Sequence, residues 1–170
     1  MNQKKLAELA RIAEQESAFT KMSLANLGDE EIIRRQLQVE IEKSIRAKDG
    51  QKGLIQRIQK VAGVSVGRAK TAAQTEKTRA LNGTRMADAI KQYLKDYEKA
   101  KKNHKKRPEL PKFQWINPRL AKEPRHEHVA ISGDVREAGD YFLPDLRYPG
   151  DPQAPASQTI NCHCYIRRHK

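Results

Sequence analysis

With 170 residues, 37% hydrophobic and 5% aromatic, the chain is short of apolar material for a large compact core, so other subunits or a partner are expected to cover part of its apolar surface. An excess of 34 Lys+Arg over 21 Asp+Glu gives +13 and points to a polyanionic neighbour such as nucleic acid. The sequence shows no apolar run long enough to span a bilayer and no apolar segment behind Lys4-Lys5, which argues against membrane insertion and for a cytoplasmic product with reduced thiols.

In chain order, Leu6, Leu9, Ile12 and Ala13 recur at helical spacing. Asp29, after Gly28, is placed to cap a second helix with the stripe Ile33, Leu37, Ile41 and Ile45, and Lys48-Asp49-Gly50 is placed to stop it, with Gly50 in the left-handed position. A third helix carries Leu54, Ile55, Ile58 and Val61 and closes at Gly63. Ser65 then caps a fourth, which meets no proline from Val66 to about Lys106. Its apolar positions are sparse and small (Ala69, Ala72, Ala73, Ala80), then larger (Met86, Ile90, Leu94, Tyr97), as expected of a helix that packs at one end and projects at the other. The apolar stripes of this half are expected to be incompletely buried within one chain, favouring self-association.

Within the long helix, Thr75, Glu76, Thr78, Arg79 and Asn82 form a polar patch at spacings of three and four, read as a tie to the C-terminal part through buried hydrogen bonds. The basic run containing Lys101, Lys102, Lys105, Lys106 and Arg107 is either a phosphate-binding patch for double-stranded DNA or a solvated helix end. Arg107-Pro108 and Leu110-Pro111 then break the helix. Beyond them, short β-prone pieces are expected at 113–116, 128–132, 141–143 and 160–166, separated by turns at Gly133, Gly139 and Pro149-Gly150. Pro152 and Pro155 are expected to keep the following residues extended. The predicted class is α+β: an N-terminal extension at 1–28, a helical region with one long helix at 29–108, and a small β-rich module at 109–170.

Both cysteines, Cys162 and Cys164, lie two apart, where a mutual disulfide is geometrically awkward. Together with His128 they are either a zinc-type ligand set, with His126, His163 or water as fourth ligand, or two packed thiols beside a hydrogen-bonded histidine. A hydrolytic reading would use His128 as general base with Asp134, Asp140, Asp145 or Asp151, residues that also serve simply as turn formers.

The order Gln74-Thr75-Glu76, Thr78-Arg79, Asn82, then Trp115, then Arg125, His128 and Gly133, then Tyr148-Pro149-Gly150-Asp151-Pro152 and Asn161-Cys162-His163-Cys164 resembles the Mu F-like minor head proteins of tailed phages, also called the head morphogenesis family. The resemblance runs from about residue 29 to the end. It implies a non-enzymatic virion component acting in head morphogenesis near the portal vertex, often inside the capsid, contacting portal protein, other head proteins and packaged DNA, and present in the host cytoplasm during assembly. The family's characteristic His, Asn and Cys positions fall on His128, Asn161, Cys162 and Cys164. Gln74 stands where the family usually has Arg, Leu120 or Ala121 where it usually has Asp, and His163 where it has Arg between the cysteines. The competing class is a metal-dependent nuclease or an effector delivered with the DNA.

Overall fold

The computed structural model describes residues 3–15 and 31–169. The expected cap Asp29 and its neighbour Gly28 lie outside the described residues, as do the side chains of Ile12, Ala13, Ile33 and Ile45. The architecture is α+β. Four helices come first: α1 (Gln3–Gln15), α2 (Glu31–Ala47), α3 (Gly50–Ala62) and α4 (Val66–Lys102). The C-terminal part holds β1 (Lys112–Ile116), the short helix α5 (His126–Ala130), β2 (Val135–Glu137), the single turn α6 (Ala156–Thr159) and β3 (Tyr165–His169). The strands form one antiparallel sheet in the order β2-β1-β3.

Local chemistry accounts for the helix ends. Gly63 closes α3 at φ +60, and its N–H bonds to Gln59 O. Ser65 caps α4 by accepting from the Arg68 N–H. At the end of α2, Lys48 and not Gly50 takes the left-handed position directly after the helix (φ +54), and Asp49 N–H reaches back to Ser44 O at 3.1 Å. This six-to-one bond closes the last turn two residues earlier than the glycine suggests; Gly50, also left-handed, opens α3.

Two apolar clusters are strung along α4. Its N-terminal part (Ala69, Ala72, Ala73) packs with Leu37 and Ile41 of α2 and Leu54 and Ile58 of α3. Its C-terminal half (Met86, Ala87, Ala89, Ile90, Tyr93) packs with Leu6, Leu9 and Ala10 of α1 on one side and with Phe113, Trp115, Leu146, Tyr148 and Ile166 on the other. The expectation that the stripe of α2 is incompletely buried within one chain therefore does not hold at Leu37 and Ile41. Leu37 is 1% and Ile41 4% exposed, because the alanines of α4 let α2 and α3 approach closely. Burial on α4 runs from Ala69 to Tyr93, and only the final turns project.

The β-rich half departs from expectation at three places. Residues 126–130 are helical, since the β-branched residues around His128 are too few to decide between the two periods. The segment 141–143 makes only the bridge Leu143↔Leu146, turning through Asp145 at φ +59. The stretch 160–166 becomes a strand only at Tyr165: Pro155 precedes the turn of α6, and Asn161 at φ +53 reverses the chain before the cysteines. The unpredicted strand is β2, whose ladder to β1 pairs Gln114 with Val135 and Lys112 with Glu137.

Candidate metal centre

His128, Cys162 and Cys164 meet in one buried cluster, although they come from a short helix and from a loop more than thirty residues later. His128 Nδ1 lies 3.6 Å from Cys162 Sγ and 3.7 Å from Cys164 Sγ, and all candidate ligand atoms fall within 4.8 Å of one another. Both thiols are free and nearly sealed, at 2% and 4% exposure. Among the described residues no further His, Cys, Asp or Glu joins the group. His126 is exposed and His163 half-buried beside it.

The imidazole is oriented by a hydrogen-bond chain that fixes its tautomer. Glu127 Oε2 accepts from Gln158 Nε2 at 2.7 Å, and this turns the amide oxygen of Gln158 toward His128 Nε2, also 2.7 Å away. An ionised carboxylate only accepts, so the amide nitrogen must donate to it and the amide oxygen must receive the Nε2 proton. Nδ1, the ring nitrogen that this chain leaves free, faces the two sulfurs and is placed to offer its lone pair to a metal held between them. His128 also meets Trp115, edge-on at 5.1 Å between ring centroids, and Trp115 in turn packs at a tilt against Phe142.

The thiols interact strongly even without a metal. The Cys162 thiol is pulled down to about 5, first by the hydrogen bond from Cys164 and then by His128, against the burial that disfavours a thiolate. Cys164 is pushed up by its thiolate neighbour and by burial, with the buried Trp115 indole N–H acting in the opposite sense. The pair thus releases one proton readily and holds the other.

Placement of the cysteine loop is the work of α4. Gln74 Nε2 donates to Cys162 O at 3.1 Å and to Thr78 Oγ1 at 3.0 Å, and the Thr78 hydroxyl donates to the same carbonyl. Asn161 N–H donates to Thr75 Oγ1 at 2.9 Å. Asn82 grips both sides of the strand entry, donating to Cys164 O at 3.3 Å and accepting from Ile166 N–H at 2.9 Å, and Arg85 donates to Ile166 O. These side chains satisfy backbone groups that a neighbouring strand would otherwise take, so residues 162–164 stay out of the sheet and both sulfurs can face one point.

The remaining motif residues lie around the same loop. Arg125 donates to the carbonyls of Ser157 and Ile160. Gly133, at φ +108, returns its N–H to Trp115 O, joining the end of α5 to β1. Pro149 is buried, and Gly150 rests on the backbone of Arg79, where an added Cβ would meet Arg79 Cα at 2.7 Å. Glu76 and Arg79 are both buried along this face of α4. Asp151, 0% exposed, binds Arg147 through two bonds of 2.7 Å and also caps the N–H groups of Arg147 and Gln153; Pro152 follows in the turn.

None of the aspartates considered as partners of a hydrolytic His128 joins the cluster: Asp151 is engaged by Arg147, Asp134 by Arg136, and Asp140 and Asp145 are exposed. The basic run divides. The helix ends at Lys102 and not near Lys106, because Asn103 bonds back to Lys99 O and His104 turns left-handed. Lys101, Lys102, Lys105 and Lys106 are exposed, whereas the Arg107 guanidinium folds back, donating to Tyr93 Oη and lying over the Tyr97 ring. Sequence reasoning missed Gln158 and Glu127, which orient the imidazole, and Arg85. No spacing marks them, since Gln158 sits in a loop that reads only as a proline-rich spacer.

No family model, curated protein or solved structure matches this chain. Among the described residues no helix is long and apolar enough to cross a membrane.

Proposed function

We propose that the chain is a minor head protein of a tailed phage, of the Mu F-like kind, acting through interfaces near the portal vertex and inside the capsid, with portal protein and packaged double-stranded DNA as partners. The observation that carries this reading is the convergence of the ordered motifs. Thr75 and Asn82 on α4, Trp115, Arg125 and His128, and Asn161 to Cys164 are scattered over ninety residues of chain, yet they meet at or beside one loop, while Gly150 packs on the backbone of α4 at Arg79. Cross-linking of purified particles tests it: links from the α4 lysines to portal protein are expected, and particles that lack the chain would sink the reading. A nuclease assay with and without divalent metal separates it from the enzymatic alternative.

Within this reading the cluster holds a structural zinc. Zinc bonds of about 2.3 Å to sulfur and 2.0–2.1 Å to nitrogen at a tetrahedral angle put sulfur and nitrogen roughly 3.5–3.6 Å apart. The separations here are 3.6 and 3.7 Å. Bound zinc would crosslink α5 to the cysteine loop. Untagged protein is expected to carry about one equivalent, and Cys162→Ser and chelation are expected to lower the melting temperature by similar, non-additive amounts. Zinc below about a tenth of an equivalent, with Cys162→Ser as stable as wild type, would reduce the cysteines to packing groups.

The DNA contact is assigned to Lys101 and Lys102 in the last turn of α4 and to Lys105 and Lys106 just beyond it, all of them exposed. Reversing all of them should reduce the slope of log affinity against log salt by about 3–4, at roughly 0.9 per phosphate contact. An unchanged slope would leave the run as a solvated surface.

A further inference from the structure

The ligand set leaves one position of a tetrahedral metal unfilled, and its three residues border a cleft. His128, Cys162 and Cys164 all contribute to the wall of one cleft of about 470 Å³, bounded further by Lys122, Glu123, Arg125, Asn161 and His163. Among the described residues no fourth ligating side chain stands within reach of the group. His163 lines the same cleft, but it is not one of the residues whose ligand atoms gather within 4.8 Å of one another. A tetrahedral metal with three protein ligands keeps an exchangeable position, the pattern of sites that bind something besides the protein.

We propose, on the basis of the zinc reading above, that this cleft is a binding site for a small monodentate anion, of which a carboxylate is the biological class, seated on the metal's fourth position. Two thiolates and a neutral imidazole exactly balance the charge of a divalent ion, so the sign of the cleft is set by its walls. Those carry Lys122 and Arg125 against Glu123. Arg125 donates to the neutral carbonyls of Ser157 and Ile160, and among the described residues it forms no ion pair. The field at the open position is therefore positive, which favours an anionic donor over water or an amine. The cleft volume admits a ligand larger than a lone ion.

Cobalt substitution of the full, untagged chain reads the site directly, because the visible bands of Co(II) report its ligand set. Acetate and azide serve as probes. The expected result is one bound cobalt per chain, lost in Cys162→Ser, with visible bands that shift saturably as either anion is added. Lys122→Glu should weaken the anion about tenfold, the effect of reversing one nearby, partly screened charge. Bands that ignore both anions, in a protein that still binds cobalt through its cysteines, would overturn the anion site while leaving the metal reading intact. If His163→Ala then made such bands responsive, His163 would be the fourth ligand. Failure to bind cobalt at all would overturn the metal reading and the anion site together.

Discussion

The N-terminal end of α4 and its middle are held by different kinds of force. At its N-terminal end the helix packs through alanines against the aliphatic stripes of α2 and α3, a contact made almost wholly of apolar side chains at helical spacing. At its middle it meets the cysteine loop through Gln74, Thr75, Thr78, Asn82 and Arg85, polar side chains that bond to main-chain atoms more than eighty residues away. An apolar contact is non-directional and tolerates repacking, whereas a buried hydrogen-bond network fixes one geometry and is costly when any member is missing. The first kind suits a scaffold, and the second suits a loop that must place two sulfurs beside one nitrogen.

The largest effect should come from removing Asp151. Its carboxylate is fully buried, binds Arg147 by two bonds and caps two backbone N–H groups, so Asp151→Ala leaves a buried guanidinium without its counter-charge. The expected loss is about 3–5 kcal/mol. Trp115, the single tryptophan, lies beside His128 and reports on this half, while far-ultraviolet circular dichroism reports mainly on the helices. The Trp115 transition should move to lower denaturant ahead of the helical signal. Coincident transitions would show that the helical half and the C-terminal part unfold as one unit despite their different chemistry.

The converse test is Leu37→Ala, which empties a site 1% exposed between α2, α3 and α4. A loss of about 3 kcal/mol is expected, felt in the helical signal, with the sulfur–imidazole geometry unchanged. Cobalt spectra identical to wild type would confirm that the scaffold end does not set the site. Altered spectra would break the comparison, because they would require strain to travel along α4.

The same contrast decides what the sequence made legible. The helices were readable because their signals are local: Leu54 and Ile58 share a face by spacing alone, and Gly63 and Ser65 mark the ends of neighbouring helices by their own conformational and capping preferences. The cluster of His128 with Cys162 and Cys164 was readable because so few residues have that chemistry. Of the strands only β1 was, expected at 113–116 and found at Lys112–Ile116. Cys162 to Cys164 look like the start of β3, yet their carbonyls are claimed by α4, a competition between distant partners that no local window contains. Gln158 likewise acquires its role only when α6 comes to rest beside α5. Leu37 and Ile41 were misjudged for the opposite reason: low overall apolar content says nothing of how closely alanine lets two helices approach.

The smallest effect, and the one that probes the polar end most finely, is the pH dependence of the metal-free protein. The Cys162 thiol sits at about 5 in the folded chain against an ordinary 9.0, and Cys164 is displaced upward. Between about pH 5 and 9 the unfolded chain keeps a proton on Cys162 that the folded chain has released, so stability rises with pH across this window and the gain is lost as pH falls through 5. Above 9 the sense reverses, because unfolded Cys164 gives up a proton that the folded chain retains. Urea midpoints measured in chelator for wild type and Cys162→Ser isolate the effect: the stability difference should grow from pH 5 to 9 and shrink beyond. A difference independent of pH would mean that both thiols stay protonated and pack as small apolar groups beside His128. Metal should move the rising limb to lower pH, because it competes with protons for both sulfurs and makes each proton easier to remove.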